Sequence, residues 1–322
     1  NLHRQSHKLY HLGGKPITKS SLSRLNEKQP HELYQALFNK LLQRFNYQPG
    51  QHQFCFKNPL YSLDASLIGL SLKLFPWAHT QSNKAALKLH VGLNHGTMIP
   101  EFVALGDGRE SELIPGRAFD FPKGSIVACD KGYIDYGWYK SLTDKGVYFV
   151  TRLRPNAVYK VVERREVPVN SGVTSDQVIQ LNSQHALKRG TPLLRRVGYR
   201  DSNTGKHYVF LTNHFDLSAK TIAGIYKDRW QIEIFFKIIK QNLKIKSFLG
   251  TTKNAMMTQI WIAMCAYLLV AYARYVSKTK LAISRIIKIL QLSLFERRSL
   301  IELLSPPLAP DKKSEPQTWL AF

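Results

Sequence analysis

Acidic residues are scarce in this chain. Its 322 residues carry 22 Asp and Glu against 46 Lys and Arg, and the net charge of +24 is spread along the length with no terminal run. Such a balance argues against a cationic partner and points to a polyanion, nucleic acid first. Cysteine is scarcer still. Cys55, Cys129 and Cys265 stand far apart, odd in number and without a CxxC pair. That excludes a disulfide framework and a zinc ribbon and suits a reducing cytosol. Long hydrophobic runs are missing too. The nearest to one, "IWIAMCAYLLVAYA" from Ile260 to Ala273, meets Arg274 short of the ~20 residues a bilayer crossing needs, so a core helix and no membrane partner are expected. Neither an initiator Met nor a signal-type segment opens the chain at Asn1, which therefore reads as a fragment or processed form. Internal repeats and long low-complexity segments are also absent.

What is present suffices for a sizeable core, since 44% of the residues are hydrophobic. Residues 1–50 hold a basic lead and "PHELYQALFNKLLQRF", apolar at helical spacing. Between 51 and 152 the texture turns to strands: "LYSLDASLIGL", "ALKLHVGLN" and "EFVALGDG" predict a meander. "GSIVACD", a helix over "YIDYGWYKSLTDKG" and "VYFVTRLR" then predict a strand, helix, strand crossover. Residues 153–212, with "VYKVVERREVPV", "TPLLRRVGYRD" and "HYVFLTN", read as a β-rich insertion. Helices resume over 213–280 with Ser218 as N-cap, and 281–322 hold a further helical pattern and a tail.

"IYKDRWQIEIFFKIIKQNLKI", Ile225 to Ile245, is loaded with cations yet has a single glutamate, Glu233. On one continuous helix Tyr226, Arg229, Glu233 and Lys240 fall at roughly 0, −60, −20 and −40°, a narrow polar stripe. Ile225, Ile232, Ile234, Phe235, Phe236, Ile238 and Ile239 fill most of the rest, so the helix is expected to be buried except along that seam. A solvated Arg229–Glu233 pair would explain the seam alone. Two more acids change the balance: Asp64 within "LYSLDAS" and Asp130 closing "SIVACD", where open α/β sheets place ligands. Either Asp by itself suits a turn or cap. Three carboxylates brought together in a partly buried pocket would repel and protonate unless divalent cations neutralised them. Oxygen-only ligands favour Mg²⁺ or Mn²⁺. Two such ions serve phosphoryl transfer, one at the attacking and one at the leaving oxygen, with Arg229 and Lys240 free to hold phosphates and Tyr226 to hydrogen-bond or stack.

The spacing Y-x2-R-x3-E-x6-K carried by Tyr226, Arg229, Glu233 and Lys240 resembles the YREK signature of bacterial DDE transposases of the insertion sequence four family. "YSLDAS" and "CDKGYID" resemble the family's first and second acidic regions, and the likeness covers roughly residues 55 to 275. It implies an α/β fold: a ribonuclease H-like mixed sheet with flanking helices, interrupted by a β-rich insertion. In that scheme 51–152 and 213–280 are the two parts of the catalytic core, 153–212 the insertion, 1–50 the remnant of an end-binding region and 281–322 a C-terminal helical segment. The resemblance makes Asp64, Asp130 and Glu233 the catalytic and metal-holding triad, with two Mg²⁺ ions and Mn²⁺ as substitute. Tyr226, Arg229 and Lys240, grouped with Lys237, become contacts to DNA. It further implies cleavage at terminal inverted repeats, joining of the freed 3′ hydroxyl to target DNA, a homodimer in the synaptic complex, and a place in the bacterial cytoplasm at the nucleoid. Members that pass through a hairpin stack a flipped base on a Trp of the insertion, and no Trp lies between Trp138 and Trp230 here, so hairpin chemistry is not expected. The rivals are a ribonuclease H-like nuclease or resolvase that hydrolyses without joining, and a retired transposase that only binds DNA.

Weaker signals complete the reading. Asp135 is expected as an N-cap and Cys129 as a small buried strand residue. Lys131 suits a phosphate contact or solvent equally. His79, His90 and His95 lack ligand spacing and read as polar surface or DNA contacts. Asp107, Glu110 and Glu112 belong to a polar loop and are set aside from the site.

Overall fold

Apolar residues at alternate positions give each central strand two distinct faces, and both faces are covered. The computed structural model describes residues 6–45, 52–70, 85–108, 110–243, 245 and 248–304. The chain forms two compact units, residues 18–268 and residues 1–17 with 269–322.

In the larger unit, α1 (Lys19–Lys28), capped by the Thr18 hydroxyl, and α2 (His31–Arg44) precede an antiparallel meander of β1 (Leu60–Leu70), β2 (Ala85–Asn94) and β3 (Ile99–Asp107). After α3 (Leu113–Ala118), β4 (Ile126–Cys129) lies parallel to β1, and α4 (Tyr136–Asp144) crosses to β5 (Tyr148–Arg152), parallel to β4. The order β3-β2-β1-β4-β5 with these directions is the ribonuclease H-like arrangement that the resemblance implies. Next come β6 (Tyr159–Arg164), β7 (Val173–Leu181), α5 (Gln184–Lys188), β8 (Leu194–Arg200) and β9 (His207–Thr212). These strands do not form a separate sheet: β9 pairs antiparallel with β5, and β8, β7 and β6 follow to complete nine strands.

α6 (Ala219–Asp228), α7 (Trp230–Lys237) and a π-helical turn over Ile238–Asn242 follow, then α8 (Lys253–Val276). Ser218 caps α6 as expected, its hydroxyl accepting from the Thr221 N–H at 3.1 Å. The expected continuous helix over 225–245 is instead broken at Arg229, where the Ile232 N–H bonds the Arg229 carbonyl, and widened from Ile238. α8 is longer than the apolar run suggests and is long and apolar enough to cross a membrane by composition, yet 67% of its most apolar window is buried within the protein. Met256, Ile260, Met264 and Tyr267 are among its fully buried residues, and Tyr267 meets Phe235 edge-on. The smaller unit holds a 3-10 helix over Ser6–Leu12, the end of α8 from Leu269, α9 (Ile283–Ser293), which buries Ile283, Ile286 and Ile287 at helical spacing, and α10 (Leu300–Leu304).

Parity decides what faces the site. Tyr61, Leu63, Val127, Cys129 and Phe149 pack with Tyr133, Trp138 and Tyr139 on the α4 side. Leu60, Ile126, Ala128 and Val150 pack with Ile222, Ala223, Ile225 and Tyr226 of α6 on the other. Asp64 shares the parity of Leu60 and therefore belongs to the α6 side.

Candidate active site

β1 and β4 run parallel in register from Leu60 opposite Ile126 to Leu63 opposite Cys129. Asp64 is the next residue of β1 and Asp130 the residue directly after β4, in extended backbone at φ −80° and ψ 173°, and the two carboxylates are near enough for Asp130 to help raise Asp64. α6 and α7 supply the remaining predicted groups. The Tyr226 hydroxyl donates to Asp130 Oδ1 at 3.2 Å. Arg229, the single residue between α6 and α7, donates through Nη1 to Asp64 Oδ2 at 2.9 Å and through Nη2 to Glu233 Oε1 at 3.0 Å. Lys240 Nζ donates to Ser66 Oγ at 2.6 Å, two residues beyond Asp64 on the same face of β1. Lys237 is exposed on α7 and joins none of these contacts. Tyr226, Arg229 and Lys240 thus meet Asp130, Asp64 and Ser66, and Glu233 joins them only through Arg229, although the helix under all four is not continuous.

Burial sets the electrostatics. It pushes the Asp64 carboxyl up to about 6, against the opposing pull of Arg229 and of the Ala65 N–H; Asp130 and Glu112 push in the same direction as burial. Burial, with Asp130 second, raises the Tyr226 hydroxyl to about 12, which keeps it a proton donor. Burial works against charge on Arg229, but Asp64, Tyr226 and Asp130 hold its guanidinium above the ordinary value. Its Nε has no partner among the described residues.

The donor chemistry fits a hard divalent cation. Carboxylate oxygens are the ligands Mg²⁺ and Mn²⁺ prefer. The proton affinity that Asp64 keeps, even with Arg229 beside it, marks a place where positive charge is still wanted. Among the described residues no three His, Cys, Asp or Glu side chains converge tightly enough to hold an ion, because the Arg229 guanidinium lies between Asp64 and Glu233.

Several neighbours escaped the sequence reading. Glu112, set aside there as a loop acid, is near enough to Asp64 to help raise its carboxyl, and the end of its flexible side chain occupies the space beside Gly132. Trp230, on α7, is exposed beside a groove of about 390 Å³ that Arg152, Tyr208, Tyr226, Arg229 and Glu233 also line. A second groove of about 520 Å³ carries Lys131, Arg152, Arg154, Arg196 and Lys206 and has no acid in its wall. Lys131, left between phosphate and solvent by the sequence, is exposed on that wall. The "TRLR" run that ends β5 was the available signal for Arg152 and Arg154.

Two histidine expectations are corrected. His90 is fully buried, neither ring nitrogen has a partner among the described residues, and burial lowers it to about 4, so it is a core residue and not polar surface. His95 is buried as well, bonded to Ser62 and Asp228. His79 lies outside the described residues. Ile234, expected to be buried, is 40% exposed because the break at Arg229 turns α7. Asp135 is the N-cap of α4, accepting from the Trp138 N–H at 2.6 Å, and Cys129 is a fully buried strand residue.

A family model described as Transposase DDE domain matches residues 57–269. A protein of Sinorhizobium fredii named as transposase y4zB is 32% identical over 290 residues, covering 89% of this chain and 80% of the relative. The probable transposase for insertion sequence element IS5377 of Geobacillus stearothermophilus is 29% identical over 262 residues, 79% of this chain and 66% of its own length. A cryo-EM structure of a piggyBac transposase synaptic complex with hairpin DNA superposes with TM-score 0.44 at 14% identity, over 86% of this chain and 58% of that one.

Proposed function

Because this chain belongs to the transposase DDE domain family, whose members use divalent metal ions on DNA, we propose that Asp64, Asp130 and Glu233 are its catalytic triad and hold two Mg²⁺ ions, for which Mn²⁺ can substitute. The reaction is cleavage at the ends of a mobile element followed by transfer of the freed 3′ end to target DNA. The place of Asp64 within β1 and of Asp130 directly after the parallel strand β4, with Asp64 tied to Glu233 through Arg229, is the observation that supports this reading. When bound, the ions supply Lewis-acid charge at the attacking and leaving oxygens of phosphoryl transfer.

The chain's own groups do the positioning. Burial raises the Asp64 carboxyl to about 6 in the metal-free protein, and a divalent ion at its Oδ atoms would favour the charged form. Arg229 orients Asp64 and Glu233 together, and its fixed fork suits a phosphate oxygen as well as a carboxylate. Tyr226 steadies Asp130 through its hydroxyl, while Lys240 and Lys237 extend positive charge along the path of the DNA backbone. The protein works on terminal inverted repeats and target DNA as a homodimer, in the bacterial cytoplasm at the nucleoid.

Glu233→Gln tests the triad, since the amide oxygen can still accept from Arg229 while the charge is gone. Mg²⁺-dependent cleavage of duplex DNA bearing the element's own ends is expected to fall by about a hundredfold or more. Unchanged cleavage overturns the assignment. A target plasmid in the same reaction separates transfer from a nuclease or resolvase activity: joined product is expected, and hydrolysis alone points to the rival.

A further inference from the structure

Next to the proposed triad lies a hydrogen-bonded chain that none of its chemistry uses. His95 directly follows β2, and its backbone N–H donates to the Leu60 carbonyl at 2.9 Å, which mounts the imidazole on β1. His95 Nδ1 stands 2.7 Å from Asp228 Oδ2 and Nε2 stands 2.6 Å from Ser62 Oγ. A carboxylate only accepts, so Nδ1 carries the proton given to Asp228, and in the neutral ring Nε2 accepts from the Ser62 hydroxyl. Ser62 is fully buried, His95 is 7% exposed and the Asp228 side chain 12%.

The order Ser, His, Asp invites comparison with a nucleophilic triad, but nucleophilic catalysis needs an exposed hydroxyl beside a substrate. Ser62 Oγ has no such access. What the chain does have is position. Ser62 lies two residues before Asp64 on the same face of β1, and Asp228 is the last residue of α6, bonded directly to Arg229. Arg229 closes the circuit by donating back to Asp64. Arg229 is the single residue between the two helices and its backbone is held locally, its N–H donating to the Ile225 carbonyl at 3.2 Å and its carbonyl accepting from the Ile232 N–H at 3.1 Å; these bonds lie within α6 and α7 and do not tie the junction to β1.

We propose that Ser62, His95 and Asp228 form a strut that fixes the α6–α7 junction against β1 and thereby positions Arg229 on both Asp64 and Glu233. The strut touches no substrate; it acts through Arg229, and its importance to the reaction rests on the triad assigned above. Without it, Arg229 pivots and the two carboxylates lose their common orientation.

The test uses the full chain and duplex DNA carrying the element's own ends, with Glu233→Gln as the control for the triad itself. His95→Ala and Asp228→Ala are expected to lower the single-turnover cleavage rate by about ten- to a hundredfold with DNA affinity changed by no more than about twofold. Asp228→Asn, whose amide oxygen still accepts from Nδ1, is expected to stay within about threefold of the parent rate. In an Arg229→Ala background, Asp228→Ala is expected to add nothing; a further loss there means a general structural role and overturns the proposal. Wild-type rates in Asp228→Ala and His95→Ala overturn it as well. If Glu233→Gln cleaves like the parent, the triad reading has failed, and a crystal structure of Asp228→Ala then decides the strut by itself. Arg229 drawn away from Asp64 or Glu233 supports it; both contacts kept at hydrogen-bond distance overturn it.

Discussion

At Asp64 the needs of folding and of the reaction pull in opposite directions. The group's ordinary value of 3.8 rises to about 6 in the folded protein, mainly through burial, so the folded state prefers the protonated form. Its contribution to stability is therefore fully present below pH 3.8 and is lost as pH rises through 6. A rise of that size corresponds to about 3 kcal/mol in the metal-free protein near pH 8. Asp64→Asn mimics the neutral acid, and urea melts without divalent ions should show it more stable than the parent by about 1 to 3 kcal/mol at pH 8, with the gain vanishing near pH 4. The same variant should lose cleavage altogether. Added Mg²⁺ should raise the melting temperature of the parent and leave that of Asp64→Asn where it was, because only a cation bound to the folded form shifts the equilibrium. A stabilised but inactive variant is the expected signature of a carboxylate retained for cation binding at the expense of the fold. The sequence allowed Asp64, Asp130 and Glu233 to be singled out because each stands apart: Asp64 lies within an apolar strand, Asp130 closes one, and Glu233 is the sole glutamate of the cationic stretch Ile225–Ile245. Their supports were not legible. Asp228 and His95 are 133 positions apart, and nothing in either neighbourhood announces the other.

Among the elements, β7 shows how a strand hides from composition. The stretch "VTSDQVIQL" has Ser, Asp and Gln where alternation would ask for apolar side chains, and it was not recognised as a strand. Asp176 and Gln177 are nevertheless buried, because Arg195 forks onto Asp176 at 2.8 and 2.6 Å and Arg196 reaches Gln177 at 3.1 Å. Arg195 Nη1 also donates to the carbonyls of His214, Phe215 and Leu217, the turn that leads from β9 into the Ser218 cap of α6. This buried fork thus ties the outer strands to the helix that carries Tyr226. Arg195→Met removes the cation and strands the Asp176 carboxylate away from water, which should cost about 3 to 5 kcal/mol in urea unfolding. Adding Asp176→Leu removes the stranded charge as well, and most of that loss should return. If the single variant unfolds like the parent, the fork does not hold these elements together. The core strands were legible for the opposite reason: β1, β2, β4 and β5 bury apolar residues on both faces and read as plain hydrophobic runs. The break at Arg229 was not, since its dihedrals of −50° and −26° remain helical and no residue there marks an end.

Over the whole molecule, the excess of 24 positive charges points to a polyanion but not to the face that would bind the proposed DNA. Two surfaces are candidates. Past the ends of β4 and β5, cations line a groove that adjoins the Glu233 groove through Arg152 and Tyr208: Lys131, Arg152, Arg154, Arg196 and Lys206. On the α4 side the exposed cations are partly neutralised, as Lys145 is by Asp120 at 2.9 Å and Lys140 by Asp144 at 2.7 Å. Binding driven by release of counterions falls linearly in log affinity with log salt, and each phosphate contact contributes about 0.9 to the slope. A protein making roughly 6 to 10 such contacts should lose about 10³ to 10⁵ in affinity between about 50 and 200 mM salt. That steepness alone identifies no face, but paired single substitutions do. Arg154→Ala and Lys145→Ala each remove one exposed positive charge, so their effects on the net field are equal and only position differs. If DNA lies along the groove beside the triad, Arg154→Ala lowers the slope by about 0.9 while Lys145→Ala leaves it unchanged within error. Equal slopes for the two variants mean a diffuse attraction to the whole surface, and a lower slope for Lys145→Ala alone moves the DNA to the face remote from Asp64, where the proposed triad cannot reach a phosphate.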